Sequence, residues 1–184
     1  MKIFSKIKFK SGVGFTIVEL IIAIFILSFS IFGVYNAFST VIVLTHGASD
    51  RFIAAYLAQE GLEIIRNIRD NNWISGQSNW RQGLDVCDEG CEADYTTGTD
   101  VPGASSLEPW SMEGNFLKIN DSGFYDYSNG SPNSKFKRKI TTTFLGNYIV
   151  KVSVLVTWEE KPTILNPSAT QGSIEAEETL YNWY

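Results

Sequence analysis

Gly12-Val13-Gly14-Phe15-Thr16-Ile17-Val18-Glu19-Leu20 opens an apolar run that continues to Leu44. Residues 15–44 carry a single charged side chain, Glu19, almost at their start. About 20 apolar residues already span a bilayer as a helix, so this run is long enough with turns to spare. In front of it stand Lys2, Lys6, Lys8 and Lys10 without an acid among them. That basic leader keeps its end on the cytoplasmic side and sends the rest of the chain outward. A carboxylate in such a helix is costly and is expected to have a partner, which makes Glu19 the first candidate functional residue.

The order of these parts differs from that of a secretory signal peptide, in which the small-residue cleavage site follows the apolar segment. Here Ser11, Gly12 and Gly14 lie between the lysines and the apolar run. Cutting there removes the basic leader and leaves the membrane helix on the mature chain. Gly14-Phe15-Thr16-Ile17-Val18-Glu19-Leu20 thus resembles the processing and methylation motif of type IV pilins and type II secretion pseudopilins. The resemblance implies a prepilin peptidase that cuts after Gly14, N-methylation of Phe15, and a role for Glu19 in docking subunits into a filament. It implies a pilin-like fold and, as partners, other pilin or pseudopilin subunits, membrane lipid and, indirectly, an inner-membrane platform protein and an assembly ATPase. A single-pass bacterial inner-membrane protein is expected, with leader cytoplasmic and head extracytoplasmic, that later moves into a filament at the cell surface. The chain departs from many major pilins in having no proline between Phe15 and Val101.

A mechanism for Glu19 also follows from charge alone. A cut after Gly14 creates a cationic amine on Phe15 at the start of an apolar helix. Opposite charges in a low-dielectric medium attract strongly, and neither is cheaply left unpaired. Glu19 of one subunit can meet the Phe15 amine of a neighbour and set the axial register of a bundle. The alternatives are that it neutralises its own chain's amine one turn away or sits protonated near the interface.

The full chain has 184 residues and a formal net charge of −5. Loss of the four leader lysines leaves 11 basic against 20 acidic side chains, or −9. So acidic a chain is a poor match to nucleic acid, whose backbone calls for clustered Lys and Arg. No P-loop, dinucleotide-binding or zinc-finger spacing is present. The domain plan is a leader at residues 1–14, a transmembrane and assembly helix at 15–44, an amphipathic continuation at 45–72, and a β-rich extracytoplasmic head at 73–184.

In residues 45–71, Phe52, Ile53, Tyr56, Leu57, Ile64, Ile65 and Ile68 recur at three- and four-residue intervals, the stripe of an amphipathic helix laid on its own head. Gly33 and Gly47 are places where the helix is able to bend. Residues 73–109 read as loop with one short strand near 94–97. Cys87 and Cys91, in Cys-Asp-Glu-Gly-Cys, are expected to form a disulfide outside the cytoplasm. The competing reading is a metal site, because Asp85, Asp88, Glu89, Glu92 and Asp94 crowd the same turn. Zinc normally needs four ligands, and only the distant His46 could add to these; calcium lacks its loop signature.

From residue 115 the period changes to two. Short strands are expected at 115–120 and 123–127, then a hairpin of 135–145 and 148–159 turning at Gly146-Asn147, and a last strand at 174–184. Val150, Val152, Val154, Val156 and Trp158 share one face. The basic cluster Lys135-Phe136-Lys137-Arg138-Lys139 is split over both faces and reads as a solvated strand edge, or as a contact with acidic neighbours or anionic surfaces. The pattern Phe136-Lys137-Arg138-Lys139-Ile140, then Val152-Ser153-Val154-Leu155-Val156-Thr157-Trp158, then Thr179-Leu180-Tyr181-Asn182-Trp183 is similar to the strand pattern of minor-pilin and pseudopilin heads. With a single histidine, His46, placed on the long helix, and acids scattered in loops, no catalytic constellation, cofactor or metal site is expected. The expected architecture is α+β, one long N-terminal helix partly packed on an antiparallel sheet of about four strands. Two functions fit: a filament subunit, or a permanently membrane-anchored extracytoplasmic binding or sensory domain. A plain anchor does not need the Gly14, Phe15 and Glu19 arrangement.

Overall fold

The computed structural model describes residues 14–76, 79–98, 106–127, 132–160 and 170–183; of the expected leader only Gly14 is among them. One helix, α1 (Ile17–Ile74), carries the apolar run and the amphipathic segment without interruption at Gly33 or Gly47. The chain divides into two compact units, Met1–Leu44 and Thr45–Tyr184. In the first, no described residue of α1 is buried. One helix is long and apolar enough to cross a membrane.

The second unit is the α+β body. After α1 come a short 3-10 helix (Leu84–Cys87) and seven strands among the described residues: β1 (Cys91–Glu92), β2 (Glu108–Pro109), β3 (Phe116–Ile119), β4 (Tyr125–Asp126), β5 (Asn133–Leu145), β6 (Ile149–Glu160) and β7 (Thr170–Tyr181). All pairings are antiparallel. β6 is flanked by β5 and β7, and the other edge of β5 is shared by β1, at Ile140, and β3, which carry β2 and β4 in turn. The expected sheet of about four strands is therefore too small. Its four strands of four residues or more are β3, β5, β6 and β7; the other three have two residues each. A two-residue strand is too short to show a period of two, and each is formed by pairing with a remote strand: β1 with β5, β2 with β1 and β4 with β3. Near residues 94–97 the chain makes a turn, and its strand lies just before, at Cys91–Glu92.

The β5–β6 hairpin runs in continuous register from Phe136↔Trp158 to Leu145↔Ile149. Its turn begins at Gly146, whose φ of +68° a side chain would disfavour. Along β6 the buried positions are Val150, Val152, Val154, Val156 and Trp158, every second residue, so the alternation in the sequence is the core face of the sheet.

The second half of α1 covers that face through most of the expected stripe: Leu57, Ile64 and Ile65 are buried and Ile53 and Ile68 pack against the core, but the contact is shifted toward small residues and leaves Phe52 and Tyr56 outside it. Ala54, Leu57, Ala58, Gly61, Ile64, Ile65 and Arg69 are buried, whereas Phe52 and Tyr56 are 68% and 70% exposed. The reason is clearance. A Cβ on Gly61 would lie 2.8 Å from Val154 Cγ1, so helix and sheet meet where the helix is thinnest. At 3.6 residues per turn, Phe52 falls roughly half a turn from Gly61. Bulky rings could not occupy so narrow a contact.

Candidate functional site

At the entrance to α1, Thr16 is the capping residue. Its hydroxyl accepts the Glu19 backbone N–H at 3.2 Å, and its carbonyl accepts Leu20 N–H at 3.1 Å. Thr16-Ile17-Val18-Glu19 is thus a threonine cap with a glutamate three residues on, the pattern in which both side chains serve the helix start. The signal was present in the sequence and is local. It gives Glu19 a first duty inside its own chain, an acid in the first helical turn that complements the positive end of the helix dipole. Gly14 and Phe15 precede the helix; Phe15 is 80% exposed, and nothing lies within 4 Å of the position a Cβ on Gly14 would take.

Farther along the apolar run the hydroxyls are internally spent. Ser28, Ser30 and Thr40 donate to the carbonyls of Ile24, Ile26 and Asn36 at 2.8, 2.8 and 3.0 Å. Back-bonding of this kind lets Ser and Thr enter an apolar solvent without an unsatisfied donor. Apart from Glu19, Tyr35 and Asn36, the exposed surface of residues 17–44 is consequently largely hydrocarbon in character. His46, two residues beyond, is exposed on the helix.

In the second unit Cys87 and Cys91 are disulfide-bonded with Cα atoms 4.6 Å apart. Both are fully buried. The loop they close is held from outside: Gly90 accepts Trp110 N–H at 2.9 Å, and Thr142 donates to Leu84 O at 2.8 Å. Gly90 has φ +115°, and any Cβ there would strike the Lys139 side chain. The acids crowded in the sequence separate in space. Asp85, Asp88 and Glu89 are exposed, while Glu92 and Asp94 are buried. Glu92 accepts the backbone and side-chain amides of Asn115, each at 2.6 Å. Asp94 accepts Thr96 N–H and Oγ1–H and Tyr127 N–H. Among the described residues no three His, Cys, Asp or Glu are placed to hold a metal ion.

The basic cluster is not a strand edge, since β5 is paired on both sides. Arg138 is fully buried on the core face and donates to Leu57 O (2.9 Å), Glu60 Oε2 (3.0 Å) and Ala93 O (2.5 Å). It ties α1, the β1 segment and β5 together. The lysines turn elsewhere: Lys135 pairs with Asp50, Lys137 donates to Glu113 O at 2.8 Å beside the Phe116 ring, and Lys139 lies over Trp110. A lone Arg among lysines of alternating direction was the available signal for a buried cation. Sequence reasoning missed it because cations are rarely buried unless paired.

Two further contacts fasten α1, one to β7 and one to the segment that follows it. Arg66 donates to both carboxylate oxygens of Glu178 on β7 at 2.6 and 2.7 Å and also pairs with Glu63. The Glu178 hydrogen bond raises the Arg66 pKa above its ordinary value. Arg69, almost wholly buried, lies between the rings of Trp73 and Trp183, 4.8 and 5.5 Å from their centroids, and pairs with Asp70 at 2.8 Å. Tyr127 donates to Arg138 O at 3.4 Å, and burial pushes its phenol well above the usual range.

No family model, curated protein or solved structure matches this chain. Its function is therefore argued from the two units themselves, an apolar helix with a capped start and a body in which Arg138 and Arg66 tie α1 to the sheet while buried Glu92 and Asp94 hold loop segments.

Proposed function

We propose that this chain is a structural subunit of a type IV pilus-like or type II secretion pseudopilus filament, in the minor-subunit class, processed after Gly14 and assembled through its apolar N-terminal helix. The observation that carries the reading is the order basic leader, Gly14, Phe15, Thr16 cap, Glu19, ahead of a helix whose large apolar side chains from Ile17 to Leu44 are exposed. The subunit waits in the bacterial inner membrane with its head outside. Prepilin peptidase cuts at an exposed, unhindered glycine, and Phe15 becomes the methylated terminus. The new ammonium sits at the positive end of α1, where the helix dipole disfavours it. That raises the need for a carboxylate. Glu19 of an adjoining subunit supplies one as the helices bundle, and apolar surface that faced lipid passes into protein contact.

The reading stands on motif order and charge rather than on catalysis, and it requires no cofactor. Intact-mass analysis of protein from a host with an active prepilin peptidase tests it. The expected mass lacks residues 1–14 and carries one methyl group. Protein that still begins at Met1 in that host, with no filaments containing it, would leave the helix as a permanent anchor for an extracytoplasmic binding domain.

A further inference from the structure

β3 and β5 do not pair in simple register. Phe116 lies opposite Lys137 and Lys118 opposite Asn133, so β5 takes four residue steps where β3 takes two. A bulge of this kind bends the strand and re-aims its side chains. Beside it opens a cleft of about 320 Å³, lined by Gly114, Asn115, Phe116, Lys118, Tyr127 and Asn133. The chain carries 20 acidic residues, yet no described residue lining this cleft is acidic, and its one charged group is the Lys118 ammonium. We propose that the cleft binds one hexuronic acid unit, a sugar ring bearing a single carboxylate, of the kind found in acidic polysaccharides. Such a site lies outside the filament reading and holds whether or not that reading does.

Hydrogen-bond polarity selects this chemistry. Glu92 accepts from both the backbone N–H and the side-chain Nδ2 of Asn115. An ionised carboxylate only accepts, so the Asn115 amide is fixed with Nδ2 on Glu92 and Oδ1 as the atom it has to offer. Tyr127 spends its proton on Arg138 O at 3.4 Å, and burial keeps the phenol protonated, so its oxygen too is offered as an acceptor. Two acceptors call for hydroxyl donors on the ligand. A sulfate has no proton to give and would set its oxygens against those of Asn115 and Tyr127. A neutral sugar supplies the hydroxyls but leaves the cation unused. An ammonium has three donors, so Lys118 is able to keep a partner inside the protein and still serve a carboxylate. Lys137, with Nζ 4.4 Å from the centre of the Phe116 ring, brings a second cation close by. Asn133, a donor and an acceptor on one amide, suits a further hydroxyl, and Phe116 gives the C–H face of a sugar an aromatic surface. The volume is at the low end of ligand sites, which fits one ring.

The test uses the full-length chain in a detergent without a sugar headgroup. Saturation-transfer NMR follows the binding of sodium glucuronate, with glucose and sodium sulfate added as competitors at constant ionic strength. Glucuronate should bind with a Kd on the order of 1 mM, the scale for so small a polar ligand, and neither competitor should displace it at equal concentration. Lys118→Gln should lower the affinity roughly tenfold or more, as loss of a hydrogen bond to a charged group does, with the melting midpoint of the head unchanged. Asn133→Ala, at an exposed position, should lower it several-fold and gives a second reading should Lys118→Gln disturb the fold. Displacement by sulfate or by glucose, an affinity indifferent to both variants, or no saturation transfer to glucuronate at millimolar concentration would overturn the proposal.

Discussion

Arg138 and Glu19 are the two charges whose surroundings say most. Arg138 spends its guanidinium on two backbone carbonyls and one carboxylate inside the core. Its replacement leaves Ala93 O and Glu60 without that donor, so Arg138→Ala should cost about 3–5 kcal/mol in urea unfolding of the head. Arg138→Lys should recover little, because an ammonium cannot reach three acceptors with the geometry of a planar fork. On the filament reading Glu19 has two separable duties. Glu19→Gln keeps an acceptor at the third helical position and removes the charge, so it should leave insertion and cleavage intact while lowering incorporation into sheared filaments. Thr16→Ala keeps the charge and removes the cap, at about 1 kcal/mol of helix-start stability. Equal incorporation of wild type and Glu19→Gln, both fully processed, would take Glu19 out of assembly. Tyr127 gives the head an alkaline limit. Its folded pKa is raised above the ordinary 10 by burial, so its contribution is fully present below pH about 10 and is lost as pH rises toward the folded value. Stability measured from pH 8 to 11 should fall at the upper end, and Tyr127→Phe should flatten that fall.

At the scale of elements, the contact of α1 with β6 depends on Gly61. Alanine there improves helix propensity by up to about 1 kcal/mol, yet its Cβ meets Val154 Cγ1 at 2.8 Å. Overpacking should win, with Gly61→Ala losing about 1–3 kcal/mol in equilibrium unfolding. Val154→Ala opens the space, so the double variant should lose less than the two single variants together. Reading the second half of α1 by periodicity alone finds an amphipathic helix but picks Phe52 and Tyr56 for the core. Apolarity ranks aromatic rings above glycine and alanine; a close helix–sheet approach reverses that ranking. The Cys87–Cys91 bridge was legible, because two cysteines alone in a head expected to lie outside the cytoplasm have few other uses. Cys87→Ser with Cys91→Ser should lower stability by roughly 2 kcal/mol and loosen the Gly90–Trp110 contact, visible as faster amide exchange at Trp110.

For the whole molecule, the division at Leu44 and Thr45 makes a sharp prediction. A fragment of residues 45–184 should be water-soluble and monomeric, unfold in one cooperative transition and keep its disulfide. The full chain should require detergent. The N-terminal unit has nothing buried among its described helical residues, so its stability comes from solvent or partners, while the second unit carries its own core of α1, β5 and β6 residues. A fragment that aggregates or unfolds without cooperativity would mean that the head needs the apolar run for folding as well as for anchorage.

What the sequence determined by itself is whatever depends on neighbours along the chain. The apolar length of residues 15–44, the Thr16 and Glu19 pattern, the period of two from Val150 to Trp158 and the turn at Gly146 are all local. A helix or strand shows its solvent in its own periodicity. Only the tertiary structure decided that Phe52 and Tyr56 of the α1 stripe stay off the sheet while Gly61 meets it, that β5 is interior and not an edge, and that Arg138 is a core residue. It also supplied the three two-residue strands, which have no period to read. Each of these turns on the distance and identity of groups remote in sequence: Val154 opposite Gly61, β1 and β3 beside β5, Leu57 and Ala93 around Arg138. A buried charge is tolerable only where acceptors converge on it, and convergence is a property of the folded chain.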